Sequence, residues 1–252
     1  MVSIITPLYN SQTYIRETIK SVQDQTYSNW EMIIVDDAST DESTEIVKKI
    51  AVDEPRIKLN IFTNNQGPAL ARNWAIAESK GRYLAFLDSD DLWYKNKLEK
   101  QLDFMIKNLY PITYSAYEKI NEVGEYIGSV NPIKEEVGYY DIIKSNHIGC
   151  LTAMIDLKLI GQKFYMPNIK KRQDHALWLS ILKNGIRAYC LPERLGKYRI
   201  RAGSVSKNKI DSIRFQWKLY RKIENLNPIK SLYYMIFYAY YGMRKYNNLR
   251  RF

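Results

Sequence analysis

The chain has 252 residues, of which 46% are hydrophobic, so it can bury a substantial core and is neither a disordered nor a fibrous protein. Its formal net charge of +11 is concentrated at one end, because twelve of the 38 basic residues but only two of the 27 acidic residues lie after position 199. We therefore expect an anionic partner for this tail and not for the nearly neutral body. The first residues show neither a basic segment nor a long apolar run, so we expect a cytoplasmic protein without a secretory signal.

Strand and helix patterns alternate regularly in the first half of the chain. Short apolar runs predict strands over 2–6, 31–35, 57–62 and 83–87. Helical spacing predicts helices over 14–22, 39–51 and 68–79, and another helix beginning at Lys95. This β-α-β-α-β-α-β order predicts an α/β fold, with a doubly wound, mainly parallel central sheet and flanking helices.

A polar cluster follows each of the four predicted strands, at residues 6–10, 36–37, 64–67 and 88–91. Because the carboxyl ends of parallel strands meet at one edge of a sheet, these clusters predict a nucleotide site at that edge. The loop after the first strand lacks the G-x-G-x-x-G glycines with which a helix N-terminus contacts a pyrophosphate. A bound diphosphate would therefore need a metal ion.

The fourth strand ends in three carboxylates, Asp88, Asp90 and Asp91. Asp88 and Asp90 would share one face of an ideal strand, and a turn after Leu87 could fan them around one cation. Such oxygen ligands, with no Cys or His nearby, suit Mg²⁺ or Mn²⁺ better than zinc. The alternative is an N-cap for the following helix. The missing glycines and the other polar clusters favour a metal site at Asp88 and Asp90, with Asp91 assigned mainly to the turn.

The second half has a less regular pattern. It predicts a turn over 121–125, a helix over 174–182, and strands over 112–117, 148–155, 186–191 and 196–200. The pattern does not determine how these elements connect in space.

Five segments occur in a characteristic order: VSIITPLYN at 2–10, SVQDQT at 21–26, IVDDASTD at 34–41, NQGPALARN at 65–73 and LDSDD at 87–91. Together they resemble the inverting nucleotide-sugar glycosyltransferases of family 2, which have the GT-A fold. Each segment alone is a weak motif, but five in order are specific. The resemblance implies a donor-binding half at 1–110, an acceptor-binding and catalytic half at 111–206, and a basic, aromatic helical tail at 207–252.

The resemblance also implies donor-binding roles for the matching residues. Thr6, Pro7 and Tyr9 would pack on the base and ribose, although Tyr9 could instead pack under the first helix. Asp37 would accept a hydrogen bond from the uracil ring or ribose, whereas Asp36 fits a turn acid at the strand end. Asp88 would lie nearer the ribose or sugar and Asp90 on the metal. The full implied donor set adds Asn65, Gly67, Arg72, Asp88, Ser89 and Asp90.

In this family, an acidic pair late in the domain supplies the catalytic base. The corresponding residues here are Gln173, which departs from the acidic pattern, and Asp174, which would be the base. Asp174 could also cap the helix that it begins, and the two roles are compatible. His175 points to another side of that helix, so a packed or surface histidine is the better interpretation.

A loop that closes over the diphosphate follows the base in the family, and residues 198–206 resemble it. Arg199 and Arg201 could clamp phosphate oxygens in this loop. They could equally be the first cations of the basic tail.

The tail contains a helical pattern at 210–223, with cations on one arc, and an apolar, Tyr-rich run of twelve residues at 232–243. Twelve residues are too few for the roughly 20 that span a bilayer. Aromatic rings beside Lys and Arg suit an anionic membrane surface, which would place the protein peripherally on the cytoplasmic face of the inner membrane. The alternative is a helical hairpin that packs on the catalytic domain or forms a homodimer.

These features together predict a metal-dependent, inverting glycosyltransferase of surface polysaccharide or O-antigen synthesis. The resemblance implies a nucleotide-sugar donor, with UDP favoured, and a glycan or undecaprenyl-diphosphate-linked acceptor. One carboxylate base, with no carboxylate nucleophile expected on the donor's other face, predicts inversion. Gln173 keeps open a non-catalytic sugar-nucleotide-binding protein. The basic tail raises a nucleic-acid-binding protein, but the acidic clusters of the body argue against it, so we expect no nucleic-acid partner.

Overall fold

The computed structural model describes residues 1–132, 134–201 and 209–249, with backbone alone described at 209–210 and 243–249. The strands are β1 (Val2–Leu8), β2 (Trp30–Asp36), β3 (Ile57–Ile61), β4 (Tyr83–Phe86), β5 (Leu92–Trp93), β6 (Ile112–Ile120), β7 (Tyr126–Val130), β8 (Glu136–Val137), β9 (Met154–Asp156) and β10 (Ala188–Arg199). The helices are α1 (Ile15–Gln23), α2 (Ser43–Asp53), α3 (Pro68–Glu78), α4 (Lys97–Asn108), α5 (Tyr139–Ile142), α6 (Leu157–Ile160), α7 (Gln173–Leu182), α8 (Lys209–Lys218) and α9 (Pro228–Leu249).

One sheet runs through both halves of the chain, in the order β3-β2-β1-β4-β9-β6-β10-β5, with β7 paired to β6 and β8 to β10. The first four strands are parallel, as the alternating pattern predicted. The second half adds antiparallel pairs, because β9 lies between β4 and β6 and runs opposite to both. Strands β6 and β10 are parallel to each other.

The central strands are buried and mostly apolar, because helices cover both faces of the sheet. Side chains alternate between the faces, so Ile5 of β1 belongs to one buried core together with Phe86 of β4. The adjacent residues Ile4 and Ala85 belong to a second core on the opposite face. The first core also contains Trp178 of α7, whose ring meets that of Phe86 edge-on at 5.6 Å between centroids. This contact fixes α7 against β4.

Three boundaries differ from the predictions. The predicted strand at 148–155 is instead a 3-10 turn at Cys150–Thr152 followed by the short β9, because the Thr152 backbone N–H bonds the Gly149 carbonyl at 2.9 Å. The two strands predicted over 186–200 form the single strand β10, whose pairing with β6 shifts register after Leu191. The next residue, Pro192, cannot donate to a ladder, which accounts for the irregularity. The helix expected at Lys95 begins at Lys97 after β5.

The tail packs on the rest of the chain through one of its faces. Tyr220 is buried in a π-helical segment, Leu219–Ile223, and its hydroxyl donates to the Ile143 carbonyl at 2.6 Å. The buried Glu224 carboxylate accepts from the Tyr139 hydroxyl at 2.6 Å and the Lys183 ammonium at 3.1 Å. The hairpin-like packing considered for the tail is therefore present. In the part of the chain that the structure describes, no helix combines the length and apolarity needed to cross a bilayer.

Candidate active site

A cleft of about 770 Å³ opens where β1, β2 and β4 end. The same cleft is also lined by segments 146–151 and 170–174 and by Tyr198, Arg199 and Arg201. Of the predicted donor and base residues, the cleft is lined by Pro7, Tyr9, Asp37, Asn65, Arg72, Asp88, Ser89, Asp90, Asp174, Arg199 and Arg201. The sheet thus brings together side chains that are more than 190 positions apart in the sequence.

Thr6 and Gly67 are the two predicted residues that do not line the cleft. The Thr6 side chain is fully buried, because Thr6 lies within β1 beside Ile34 of β2. This position excludes direct packing of Thr6 on a bound base. Gly67 has φ 91°, a backbone conformation that favours glycine, and it precedes Pro68 at the start of α3. Its role is to turn the chain into α3 behind Asn65.

Asp36 and Asp37 shape the loops at the donor side. The Asp36 carboxylate accepts from the backbone N–H of Ser39 at 3.0 Å, as expected for a turn acid. The Asp37 carboxylate accepts from the backbone N–H of Gln66 at 2.6 Å and of Gly67 at 2.8 Å. Each carboxylate oxygen has a second lone pair, so the predicted contact of Asp37 with a nucleotide remains open to it.

The turn after β4 carries the three adjacent carboxylates. It closes through a bond from the Asp91 N–H to the Asp88 carbonyl at 3.1 Å. Asp88 pairs with the buried guanidinium of Arg72 at 2.5 Å, and Asp90 pairs with Arg201 at 2.7 Å. Burial and the neighbouring Asp88 carboxylate raise the pKa of Asp90, while Arg201 opposes that rise. Burial also raises the pKa of Asp91 well above its usual range, and Asp90 adds to the effect.

Burial alone would lower the pKa of the Arg72 guanidinium, but the Asp88 carboxylate outweighs it and the net shift is upward. Arg72 therefore stays charged at the cleft floor. The Asp174 carboxylate also raises this pKa, so Arg72 lies within the electrostatic reach of both Asp88 and Asp174.

The carboxylate turn offers the ligand chemistry of a divalent-cation site. Among the described residues, no three His, Cys, Asp or Glu side chains are grouped closely enough to hold a metal by themselves. Mg²⁺ and similar ions are commonly held by one or two carboxylates together with substrate phosphates, so two carboxylates suffice. Burial raises the pKa of Asp90, and repulsion from the Asp88 carboxylate adds to the rise. A bound cation would relieve this repulsion. The residues present therefore fit such an ion.

Asp174 lies in the first turn of α7. The helix begins at Gln173, and the preceding Arg172 adopts a left-handed conformation with φ 71°. Asp174 consequently does not occupy the cap position, so its carboxylate is available to the cleft. Its Oδ2 accepts a hydrogen bond from Asn146 Nδ2 at 3.3 Å. An acid in the first turn is also favourable to the helix dipole.

His175 is a packed core residue and not part of the site. It is fully buried, and its Nε2 lies 2.8 Å from the Ile142 carbonyl, so this nitrogen carries the proton of a neutral ring. Burial lowers the pKa of His175 to about 4, while the Ile142 carbonyl opposes the shift. The prediction of a packed or surface histidine is therefore confirmed, and the structure shows the packed case.

The depressed pKa of His175 predicts an acid-labile fold. Between pH 6.5 and 4 the unfolded chain binds a proton at this position and the folded chain does not, so the free energy of unfolding falls as pH falls. The variant His175→Gln keeps a donor toward Ile142. We expect its free energy of unfolding to fall by about 2 kcal/mol less than that of the wild type when the pH is lowered from 7 to 4.5. Urea denaturation at both pH values measures this difference, and equal losses in the two proteins would contradict it.

Arg199 and Arg201 have different environments. The Arg199 side chain is 2% exposed, and its guanidinium donates to the Asp90 carbonyl at 2.9 Å, the Glu122 carbonyl at 3.0 Å and the Glu17 carboxylate at 2.8 Å. A phosphate contact would require breaking these bonds, so we assign Arg199 a positioning role instead of the predicted clamp. Arg201 is 35% exposed and faces Asp90, where it remains suitable for a phosphate. Residues 202–206 of the predicted loop lie outside the described residues.

The cleft is also lined by residues that the motifs did not identify. They include Asn146, Tyr117, Cys150 and the consecutive cations 170–172. Tyr117 and Cys150 lie within predicted strands, but a strand pattern does not show that they reach the cleft. The only available signal was the run of basic residues just before Asp174, in a segment without helix or strand periodicity.

The family model described as Glycosyl transferase family 2 matches residues 3–161. The chain is 43% identical over 245 residues to the putative teichuronic acid biosynthesis glycosyltransferase TuaG of Bacillus subtilis, covering 97% of both chains. It is 38% identical over 250 residues to WfgD of Escherichia coli, the UDP-Glc:alpha-D-GlcNAc-diphosphoundecaprenol beta-1,3-glucosyltransferase, covering 98% of this chain and 95% of WfgD.

Solved structures show the same fold at low identity. S. aureus TarS 1–349 in complex with UDP-GlcNAc matches with a TM-score of 0.73 and 23% identity, over 94% of this chain and 71% of that chain. The mannosyltransferase PcManGT from Pyrobaculum calidifontis, in complex with GDP-Man and Mn²⁺, matches with a TM-score of 0.63 and 20% identity, over 86% of this chain and 61% of that chain. The predicted α/β fold of GT-A type is confirmed. By its matching family model and its relatives, this chain belongs to glycosyl transferase family 2 and is a glycosyltransferase.

Proposed function

We propose that this enzyme transfers a sugar from a UDP-sugar to a hydroxyl group of a lipid-linked glycan, with inversion at the anomeric carbon. The observation that carries the proposal is the position of Asp174, which lines the same cleft as the Asp88–Asp90 turn. A donor held at the turn would present its anomeric carbon toward this carboxylate. The substrate names of WfgD and TarS support a UDP-sugar, and that of WfgD supports a diphosphate-linked lipid acceptor.

Asp174 acts as general base in this proposal. A sugar hydroxyl is a poor nucleophile at neutral pH, so its proton must pass to a positioned carboxylate as the glycosidic bond forms. The hydrogen bond from Asn146 Nδ2 to Asp174 Oδ2 holds one oxygen and leaves the other for the acceptor. Attack from the side of Asp174 in a single displacement inverts the anomeric centre.

Cations at the cleft floor stabilise the leaving UDP. Arg72 and Arg201 are held next to Asp88 and Asp90, where the diphosphate would lie. A Mn²⁺ or Mg²⁺ ion bound by Asp88 and Asp90 would neutralise the charge that develops on the diphosphate oxygens. On the donor side, Pro7, Tyr9, Asp37 and Asn65 would surround the nucleoside. The exposed ring of Tyr9 suits stacking on a base better than core packing.

The donor is tested by thermal-shift measurements with UDP-, GDP-, dTDP- and CMP-sugars in the presence of Mn²⁺. We expect stabilisation by UDP-sugars alone, followed by transfer of that sugar to a lipid-diphosphate acceptor. Proton NMR of the product reports its anomeric configuration. Retention of the donor's configuration, or stabilisation by another nucleotide class, would reject the corresponding part of the proposal.

The metal role of Asp90 has a readout apart from turnover. A ligand at 100 times its Kd raises the melting temperature of a protein of this size by about 5 °C or more. We expect UDP with Mn²⁺ to do so in the wild type, and EDTA or Asp90→Asn to abolish the shift. Without ligand, Asp90→Asn should be no less stable than the wild type, because removing the charge of Asp90 relieves its repulsion from Asp88. Asp103→Asn, on the exposed side of α4, is the matched control. An unchanged shift in Asp90→Asn would exclude Asp90 as a ligand.

The tail provides a surface for peripheral membrane contact on the cytoplasmic side, as proposed for an enzyme with a lipid-linked acceptor. The face of α9 turned away from the body exposes Ile229, Leu232 and Ile236 at 81%, 59% and 63%, spaced by three and four residues along the helix. Tyr233 and Tyr240 flank this apolar face and are also exposed. Aromatic rings beside an apolar helix face and a basic segment suit an anionic bilayer.

Flotation with vesicles of phosphatidylglycerol and phosphatidylethanolamine tests this surface. We expect a triple Ser variant at Ile229, Leu232 and Ile236 to float at least about fivefold less than the wild type. A matched triple Ser variant at other exposed apolar positions, Val52, Ile106 and Val123, should float normally. Equal flotation of both variants would reject membrane contact by α9. Sedimentation velocity of the same variants would reveal the homodimer alternative as a change in mass.

A further inference from the structure

Three consecutive cations, Lys170, Lys171 and Arg172, form the edge of the cleft immediately before α7. We call them the basic rim. All three line the cleft, together with Asp174 two residues further along the chain. The left-handed conformation of Arg172 turns the chain here, so that the rim and Asp174 face one cavity. The rim therefore lies beside the proposed base, in the cleft that also contains the donor turn.

The cations of the cleft differ in the charges that they meet. Arg72 pairs with Asp88, Arg201 with Asp90, and Arg199 with Glu17. In the rim, by contrast, the distance from the Lys171 ammonium to the Asp211 carboxylate is 3.5 Å, which is the outer limit of a hydrogen bond. The Arg172 guanidinium contacts the neutral hydroxyl of Tyr238.

Lys170 is exposed and forms no ion pair with any residue in the described ranges. The positive charge of the rim is thus only partly neutralised by protein groups. A site of this kind favours an anionic ligand, since ammonium and guanidinium groups donate strong bonds to phosphate oxygens.

A sugar hydroxyl that attacks the donor is neutral and needs no such cations. The donor diphosphate already has its own cations, Arg72 and Arg201, beside the Asp88–Asp90 turn. The remaining anion in a reaction with a lipid-linked acceptor is the acceptor's own diphosphate. Resting on the function proposed above, we propose that the basic rim binds the diphosphate of the acceptor and so places the acceptor hydroxyl beside Asp174.

The contacts between rim and tail agree with this assignment. Lys171 lies 5.6 Å from the ring of Phe215 in α8, and the Arg172 guanidinium lies 5.4 Å from the ring of Tyr238 in α9. The rim is therefore located where the tail packs against the body. A lipid attached to a diphosphate at this position would leave the cleft along the tail, whose α9 carries the exposed apolar face.

Calorimetric binding of decyl diphosphate to the protein saturated with UDP and Mn²⁺ tests the rim without needing turnover or the acceptor sugar. We expect the double variant Lys170→Ala/Lys171→Ala to raise the Kd about 30-fold, since two charge-assisted contacts are lost. Lys170→Arg/Lys171→Arg should retain the wild-type Kd, because the charge remains. Lys49→Ala, an exposed lysine on α2, is the control for general charge loss.

The outcomes separate the explanations. Equal Kd values for the wild type and the double Ala variant would overturn the assignment, as would an equal Kd for decyl phosphocholine, which lacks the net charge. A parallel loss of UDP affinity in the double variant would assign the rim to the donor and also reject the proposal. Weaker pelleting with phosphatidylglycerol vesicles, without any change for decyl diphosphate, would assign the rim to the bilayer surface instead. Absence of sugar transfer by the wild type would reject the proposed function and leave the binding result standing.

Discussion

Replacing Asp174 with Asn is expected to lower the rate of sugar transfer by about 10³-fold while the Kd for the UDP-sugar stays within about twofold of the wild type. A positioned general base contributes on the order of 10²–10⁴-fold to a rate, and an amide cannot take the acceptor proton. The substitution keeps the volume of the side chain. Donor binding should survive, because the proposed donor contacts are made by other residues of the cleft, at the Asp88–Asp90 turn and at the ends of β1 and β2.

Single-turnover transfer assays and calorimetric titration with the UDP-sugar measure these two quantities. Asp53→Asn, at the exposed end of α2, controls for removal of a surface carboxylate. Full transfer activity in Asp174→Asn would reject this residue as the base. The buried His175 would be no replacement, because its ring is enclosed within the core and does not line the cleft.

The first half of the fold could be predicted from the sequence because its two signals reinforce each other. Strands such as β1 and β2 are buried on both faces, so most of their residues are apolar, and clusters of polar residues begin where each strand ends. Parallel connection then forces these polar ends to one edge of the sheet. The prediction of the carboxylate turn at Asp88 and Asp90 followed from this geometry.

The second half depends on pairings between distant segments, and local patterns carry little information about them. The three-residue β9 lies between β4 and β6, although it follows β6 in the chain by more than thirty positions. Sequence patterns predict two strands, over 186–191 and 196–200, where the structure has the single bulged strand β10. The contact of Asn146 with Asp174 and the convergence of the basic rim on the cleft likewise arise from tertiary packing.

The packing of the tail could also be predicted only in part from its sequence. Its alternating apolar and basic residues indicated amphipathic helices, but amphipathicity alone does not say which face packs on the protein. The structure buries Leu219 and Tyr220 against the body and exposes Ile229 and Ile236. Packing on the body therefore describes one face of the tail, and the other face is exposed, where we propose the membrane contact.

Arg199 and Arg201 have different surroundings although the motif treats them alike. Sequence similarity indicated that both could clamp phosphate oxygens or begin the basic tail. In the structure the Arg199 backbone N–H bonds the Asp91 carboxylate at 2.8 Å and its guanidinium bonds the Asp90 carbonyl, so it holds the carboxylate turn in place. Arg201 instead meets the Asp90 carboxylate itself.

We therefore expect opposite consequences from removing the two side chains. Arg199→Ala should lower the free energy of unfolding by about 3 kcal/mol, because it leaves the Asp90 and Glu122 carbonyls without their donor. Arg199→Lys should restore little of this loss, since one ammonium cannot reproduce the spread of guanidinium contacts. Arg201→Ala should change the unfolding free energy by less than about 1 kcal/mol, because its pair with Asp90 is partly exposed, but should weaken UDP binding about tenfold.

Urea denaturation and UDP titration on the same three variants measure both effects. If Arg199 were a phosphate clamp, its removal would reduce UDP affinity and leave stability nearly unchanged, as expected here for Arg201. Loss of stability in Arg199→Ala shows the positioning role directly, because the guanidinium contacts protein groups on every side. A turn held by Arg199 in this way keeps Asp88 and Asp90 at the fixed separation that a shared cation requires, before any donor enters the cleft.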